Sequence, residues 1–179
     1  MDLTSDRLLL KEVEWSDVEN IHTLHSDPEV DRFNTLGIPS SIEDTRSVIR
    51  PAIEERSKPV RTKFLWVIMI EHGNIFLGEI GLKLAEKRFR MGEIFYNLVP
   101  DRWGRGFATE AARRVLEFGF TDLELHRIEA GVATGNHASI RVLEKLGMKR
   151  EGMRRQILPI RGEWKDNFHY AILESEFFV

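Results

Sequence analysis

The segment Pro100-Asp101-Arg102-Trp103-Gly104-Arg105-Gly106-Phe107-Ala108-Thr109-Glu110-Ala111 has the makings of an anion cradle. Glycines let the backbone turn so that several N–H groups converge, and a helix starting there adds partial positive charge. A pyrophosphate can then be held with few side chains. The same glycines would equally serve a plain tight turn between a strand and a helix. Two commoner phosphate loops do not fit. A P-loop ends in Gly-Lys-Ser/Thr, and neither Lys-Ser nor Lys-Thr occurs in the chain. A dinucleotide loop needs a third glycine where Thr109 stands, together with an early parallel βαβ unit.

Acid–base candidates lie upstream. Glu93 alternates with Phe95 on the strand that leads into the loop, and Glu79 lies on the strand before it. Either carboxylate could take a proton, anchor an ammonium group or belong to an ion pair. His22 and His25 are three apart on a helix with no third ligand nearby, so they read as surface or cap histidines and no metal is expected. His137 and His169 read as surface or hydrogen-bonded histidines. Trp66, Tyr96 and Trp164 read as core or cleft wall, with Tyr96 the nearest to a substrate. The absence of cysteine removes disulfides and any acyl-cysteine intermediate.

The elements that must position these groups follow from periodicity. Residues 7–13 read as a strand, and Trp15 to His25 as a helix capped by Ser16 or Asp17 and ended or redirected by Pro28. A second helix opens at Ser41, where Asp44 completes a near capping box, and Pro51 predicts a kink or break within it. Phe64 to Ile70 and Ile75 to Leu84 form a hairpin around His72-Gly73-Asn74. A third strand, Gly92 to Val99, stops at Pro100, after which apolar residues recur at helical spacing from Ala108 to Phe120. His126 to Ala133 is a strand, Asn136 to Leu146 a helix closed by Gly147, and the rest, to Phe178, two strands turning near Arg161-Gly162. No linker divides residues 1–179, so one α+β domain is expected, with helices on a central mixed sheet. Ligands are expected at the two strand-to-helix junctions.

Composition narrows the function classes. A net charge of -3 argues against a nucleic-acid binder, and the basic clusters Lys87-Arg88-Phe89-Arg90 and Lys149-Arg150 with Arg154-Arg155 read as solvated faces. The first residues lack a basic stretch leading into an apolar one, and nowhere do about 18 apolar residues run together. Neither export nor a membrane span is expected, and a reducing cytoplasm is the expected compartment. The apolar end, Phe177-Phe178-Val179, could pack on the sheet or at a homodimer interface.

The loop resembles the coenzyme A pyrophosphate loop, Arg/Gln-x-x-Gly-x-Gly/Ala, of the GCN5-related N-acetyltransferase (GNAT) superfamily. Trp103 departs from its first position. Trp103-Gly104-Arg105-Gly106-Phe107-Ala108-Thr109-Glu110-Ala111 is similar to the Rim-type branch, which acetylates ribosomal-protein N-termini. Similar too are Thr4, Arg7, Leu8 and Leu10, Leu77-Gly78-Glu79-Ile80-Gly81, Glu93-Ile94-Phe95-Tyr96, and the run from Asn136 to Met148. The resemblance implies a mostly antiparallel central sheet flanked by helices and splayed at an acetyl-CoA site, and direct acetyl transfer from acetyl-CoA to a primary amine.

By the same resemblance, main-chain groups of Leu98 and Val99 pair with the pantetheine arm, and the Leu98 N–H receives the oxyanion. The loop from Trp103 through Gly104, Arg105, Gly106, Phe107 and Ala108 to Thr109 holds the pyrophosphate, with Arg105 as an added charge. Asn136 reaches the pantetheine or thioester, or acts only as a helix cap. The tyrosine that many relatives use as general acid is replaced by Leu143, and Ser139 takes the place beside the sulfur. Glu93 is the expected base. An α-amine of pKa about 8 needs little help at neutral pH, whereas a lysine of pKa about 10.4 needs much more. The resemblance implies a protein N-terminus, of the ribosomal-protein type, as the acceptor. A small amine such as a polyamine, amino acid or antibiotic is the alternative, and a non-catalytic coenzyme A module a further one.

Overall fold

The computed structural model describes residues 1–70 and 75–178. The strands are β1 (Leu3–Thr4), β2 (Leu8–Glu12), β3 (Lys63–Ile70), β4 (Ile75–Leu84), β5 (Met91–Leu98), β6 (Arg127–Ala133), β7 (Lys149–Ile160) and β8 (Glu163–Leu173). They form an eight-stranded sheet in the order β1-β2-β3-β4-β5-β6-β8-β7. Every neighbouring pair is antiparallel except β5 and β6, which are parallel. The helices are α1 (Val18–His25), α2 (Pro28–Asp31), α3 (Ile42–Glu54), α4 (Phe107–Thr121), α5 (His137–Lys145) and α6 (Glu174–Phe177). None of the helices among the described residues is long and apolar enough to cross a membrane.

Alternation along β3 shows how the sheet is buried on both faces. Phe64, Trp66 and Ile68 join the core under α4, where Phe118 meets Trp66 edge-on at 5.6 Å between ring centroids. Leu65 and Val67 face the other way, onto Ile21 of α1 and Ile49 of α3. Each such side chain contributes roughly 1.5–3 kcal/mol through burial, so the two layers fix the register of β3 and β4.

The feature that makes the site is a loss of pairing. Strands β5 and β6 pair only from Met91–Arg127 to Glu93–Glu129. Beyond that β5 stays with β4 as far as Leu98, and β6 stays with β8 as far as Ala133. The two halves of the sheet therefore splay into a V. A bulge in β4, beside the register shift at Ile68/Met69, brings Gly78 against β5. Gly78 has φ +150°, and a Cβ there would overlap the Asn97 carbonyl oxygen, so only glycine permits this approach.

Several boundaries differ from the sequence reading. Trp15–Asp17 is a 3-10 turn, and the Asp17 carboxylate accepts from the Glu14 N–H, so Ser16 does not cap α1. Pro28 begins α2 at its first position, after the Asp27 cap. Helix α3, capped reciprocally by Ser41 and Asp44, runs through Pro51 without a break, because proline in the final turn forfeits only one hydrogen bond. The chain ends in α6 rather than in strand, and Phe177 and Phe178 pack on Phe120. The turn expected at His72-Gly73-Asn74, and Val179, lie outside the described residues.

Candidate active site

The loop after β5 is shaped by two left-handed glycines, Gly104 at φ +74° and Gly106 at φ +83°. Gly106 is the N-cap of α4, and the first helical bond runs from the Glu110 N–H to the Gly106 carbonyl at 3.0 Å. The N–H groups of Phe107, Ala108 and Thr109 have no acceptor within the helix, and glycine offers no capping side chain. The one acid of the first turn, Glu110, is drawn away from them: it accepts from Ser5 Oγ at 2.8 Å, the Arg7 N–H at 2.9 Å and Arg7 Nε at 2.7 Å. Burial alone would raise the Glu110 carboxyl, but these bonds and the Arg7 charge hold it below its ordinary range. Arg7 also donates to the Arg105 carbonyl and lies over the Phe107 ring, bracing the loop from the residue that precedes β2. Glu110 therefore does not compete for the donors at the start of α4.

Trp103 donates its indole Nε1–H to the Leu98 carbonyl at 2.8 Å and so ties the loop to β5. The Arg105 side chain is outside the cleft lining, and Arg102 borders the cleft instead. Both main-chain groups of Val99, expected to meet pantetheine, are engaged. Its N–H bonds the Leu77 carbonyl at 2.9 Å, and its carbonyl accepts from the Arg102 N–H at 3.0 Å. That first bond sets the phase of the β4–β5 ladder. Residues 97 and 99 point their main-chain groups at β4, so Tyr96 and Leu98 point theirs into the V. With the Leu98 carbonyl taken by Trp103, its N–H is the donor that faces the gap.

At the second junction Asn136 caps α5, its Oδ1 accepting from the Ser139 N–H at 3.1 Å. The cap leaves the amide nitrogen of Asn136 for other work and orients Ser139. A Schellman closure follows at the other end, the Met148 N–H bonding the Leu143 carbonyl while Gly147 takes φ +82°. Leu143 itself is buried. A tyrosine hydroxyl nevertheless reaches Ser139: Tyr96 Oη is 2.8 Å from Ser139 Oγ. Burial pushes the Tyr96 hydroxyl up to about 12 against the lowering effect of its bond to Ser139, so it stays protonated at neutral pH. The sequence reads Tyr96 as core or cleft wall; nothing in it shows that this hydroxyl meets Ser139.

The two carboxylates differ in setting. Glu93 is exposed, borders the cleft at the closed end of the V, and stands in register with Lys83 and Glu129. Glu79 is buried and also borders the cleft, and its Oε1 meets His25 Nε2 at 2.6 Å and Asn97 Nδ2 at 3.0 Å. His25 is thus neither a surface nor a cap residue, because α1 packs its last turn on β4. Burial would lower the His25 pKa, but the bond and charge of Glu79 prevail and raise it. His137 is exposed at the cleft, His169 is paired with Glu129, and Trp164 is exposed on the β7–β8 hairpin rather than in core or cleft.

These walls enclose a cleft of about 880 Å³. A cradle of N–H donors, an open strand edge and a hydroxyl pair at the mouth of the V suit a long thioester ending in phosphates. Residues 7–149 match the acetyltransferase (GNAT) domain family, so the chain belongs to that family. It is an acetyl-CoA-dependent acetyltransferase. It is similar to the uncharacterized N-acetyltransferase YoaA of Bacillus subtilis, with 34% identity over 96% of each chain. A GNAT-family acetyltransferase from Bacillus anthracis superposes with a TM-score of 0.85 at 33% identity, covering 98% of this chain and 100% of the other. Two more distant structures share the fold. Spermidine N-acetyltransferase from Vibrio cholerae, solved with CoA and spermine, has a TM-score of 0.86 at 23% identity, covering 98% and 100%. Ribosomal-protein-S5-alanine acetyltransferase from Vibrio fischeri has a TM-score of 0.84 at 19% identity, covering 99% and 98%.

Proposed function

We propose that the enzyme acetylates the α-amine of a protein N-terminus, of the ribosomal-protein type, by direct transfer. The charge of the cleft carries this reading. Its described lining holds seven arginines and lysines against three carboxylates, Glu29, Glu79 and Glu93. The basic ones are Arg32, Lys63, Lys83, Arg102, Arg141, Lys145 and Arg154. A polycation would find no surplus of carboxylates there, whereas a peptide carries a single α-ammonium. Glu79, joined to His25, anchors that group, and Glu93, at the closed end of the V, takes its proton through water.

The neutral amine then attacks the thioester carbonyl, and the Leu98 N–H meets the oxyanion. Collapse breaks the C–S bond, and the proton that the new amide nitrogen sheds passes through water to the Ser139 hydroxyl, backed by Tyr96, as that hydroxyl hands its own proton to the departing thiolate, whose pKa near 8.5 asks for little help; the hydroxyl is thereby restored. Gly106 to Thr109 would hold the pyrophosphate, and the Asn136 amide nitrogen would meet the pantetheine. Likeness in fold to the spermidine enzyme supports small amines as the second reading. Thiol release from acetyl-CoA against N-terminal peptides, lysine peptides, polyamines, amino acids and aminoglycosides separates the two. Turnover on N-terminal peptides that falls in Asn136→Ala and Ser139→Ala is expected, and turnover confined to polyamines would overturn the reading.

A further inference from the structure

On the β8 side of the V lies a buried amide that the chemistry above does not use. Asn167 is 6% exposed and borders the cleft, and its Oδ1 has no hydrogen-bond partner among the described residues. Leaving such an atom unpaired is destabilising, and an apolar side chain would fill the place without that cost. Its surroundings are fitted to it. A Cβ on Gly131 would lie 3.1 Å from Asn167 Nδ2 and 3.2 Å from Oδ1. Gly131 is not among the residues of positive φ, so what its missing side chain supplies is room for this amide.

It stands on the face of the sheet that carries Glu79 and Glu93. Glu129 is in register with Glu93, so Glu129, Gly131 and Ala133 of β6 share the face of Glu93, Phe95 and Asn97 of β5. Asn167 pairs with Ala133 and belongs to the same face, across the V from Glu79. An amide offers one acceptor and two donors in a plane. The N–H and C=O of one residue in an extended peptide point to the same side, and an asparagine amide can engage both at once.

We propose that Asn167 is the specificity-determining residue that recognises the acceptor as a peptide. Its amide accepts the N–H and donates to the C=O of a residue just behind the reacting α-amine. This rests on the N-terminal reading and adds the substrate's main chain to it.

The test compares two acceptors with similar amines, an alanyl tripeptide amide and alaninamide, which has no second residue. The wild-type enzyme is expected to prefer the tripeptide by about tenfold or more in kcat/KM, the worth of one or two buried hydrogen bonds. Asn167→Leu should abolish that preference through KM for the tripeptide, leaving alaninamide turnover and the dissociation constant of coenzyme A unchanged. Gly131→Ala, whose methyl displaces the amide without removing it, should weaken the preference too, and it keeps the test open should the leucine variant not fold. A preference that survives both substitutions, equal losses on the two acceptors, or a wild-type enzyme indifferent between them would overturn the assignment. A wild-type enzyme that binds coenzyme A and acetylates neither, while acetylating polyamines, would sink the N-terminal reading itself.

Discussion

Tyr96→Phe removes one oxygen atom and is the sharpest probe of the proposed leaving-group chemistry. The lost atom is the hydroxyl 2.8 Å from Ser139 Oγ. Losing that bond in a desolvated wall costs about 1–2 kcal/mol, or about five- to thirtyfold in rate if it is made fully only as the thiolate departs. The expectation is a fall of that size in kcat with KM for the acceptor unchanged. Single-turnover rates should be measured in Tyr96→Phe, Ser139→Ala and the double variant. Because the phenol acts through the serine, Tyr96→Phe should add little once Ser139→Ala is in place. Full additivity, or an unchanged kcat in Tyr96→Phe, would refute the relay. A stability measurement provides an independent check. A hydroxyl raised from 10.0 to about 12 in the folded state favours folding while protonated, so its contribution is complete below pH 10 and is lost as pH rises toward 12. The wild-type protein should lose up to about 3 kcal/mol more than Tyr96→Phe across that window in urea titrations.

Three further outcomes are expected. His25 has a folded pKa raised above 6.5, so its pairing with Glu79 stabilises fully below pH 6.5 and fades as pH rises through the raised value. Urea midpoints of wild type and His25→Gln should therefore differ most at acid pH and converge above it, and a gap that widens with pH would contradict the ion pair. Arg7→Ala should raise the dissociation constant of coenzyme A by calorimetry about three- to tenfold, the worth of one brace on the loop, while the acceptor KM stays put. Gly78→Ala should cost more than about 3 kcal/mol in thermal or urea unfolding, since its methyl overlaps the Asn97 carbonyl in a backbone region reserved for glycine. A near-native melting temperature would show that β4 and β5 can shift apart there.

The sequence by itself determined what is local. Apolar spacing located the long helices and the longer strands; Ser41 with Asp44, and Asn136, marked helix starts; Gly104 and Gly106 marked the turn from strand into helix, because glycines placed between a strand pattern and a helix pattern are readable from residue order alone. What only the tertiary structure decided is which distant groups meet. Pro51 does not break α3, since its packing against the β3 face outweighs one missing bond. Val99 and the Leu98 carbonyl are used up inside the protein, which depends on the phase of the β4–β5 ladder and on where an indole five residues on comes to rest. His25 reaches Glu79 across 54 residues, Tyr96 reaches Ser139 across 43, and Asn167 comes to line the V because β8 inserts between β6 and β7. Periodicity tells which face of an element is buried and says nothing of what it is buried against. The pairing of elements, set by the packing of the whole chain, chooses the partners on which the chemistry depends.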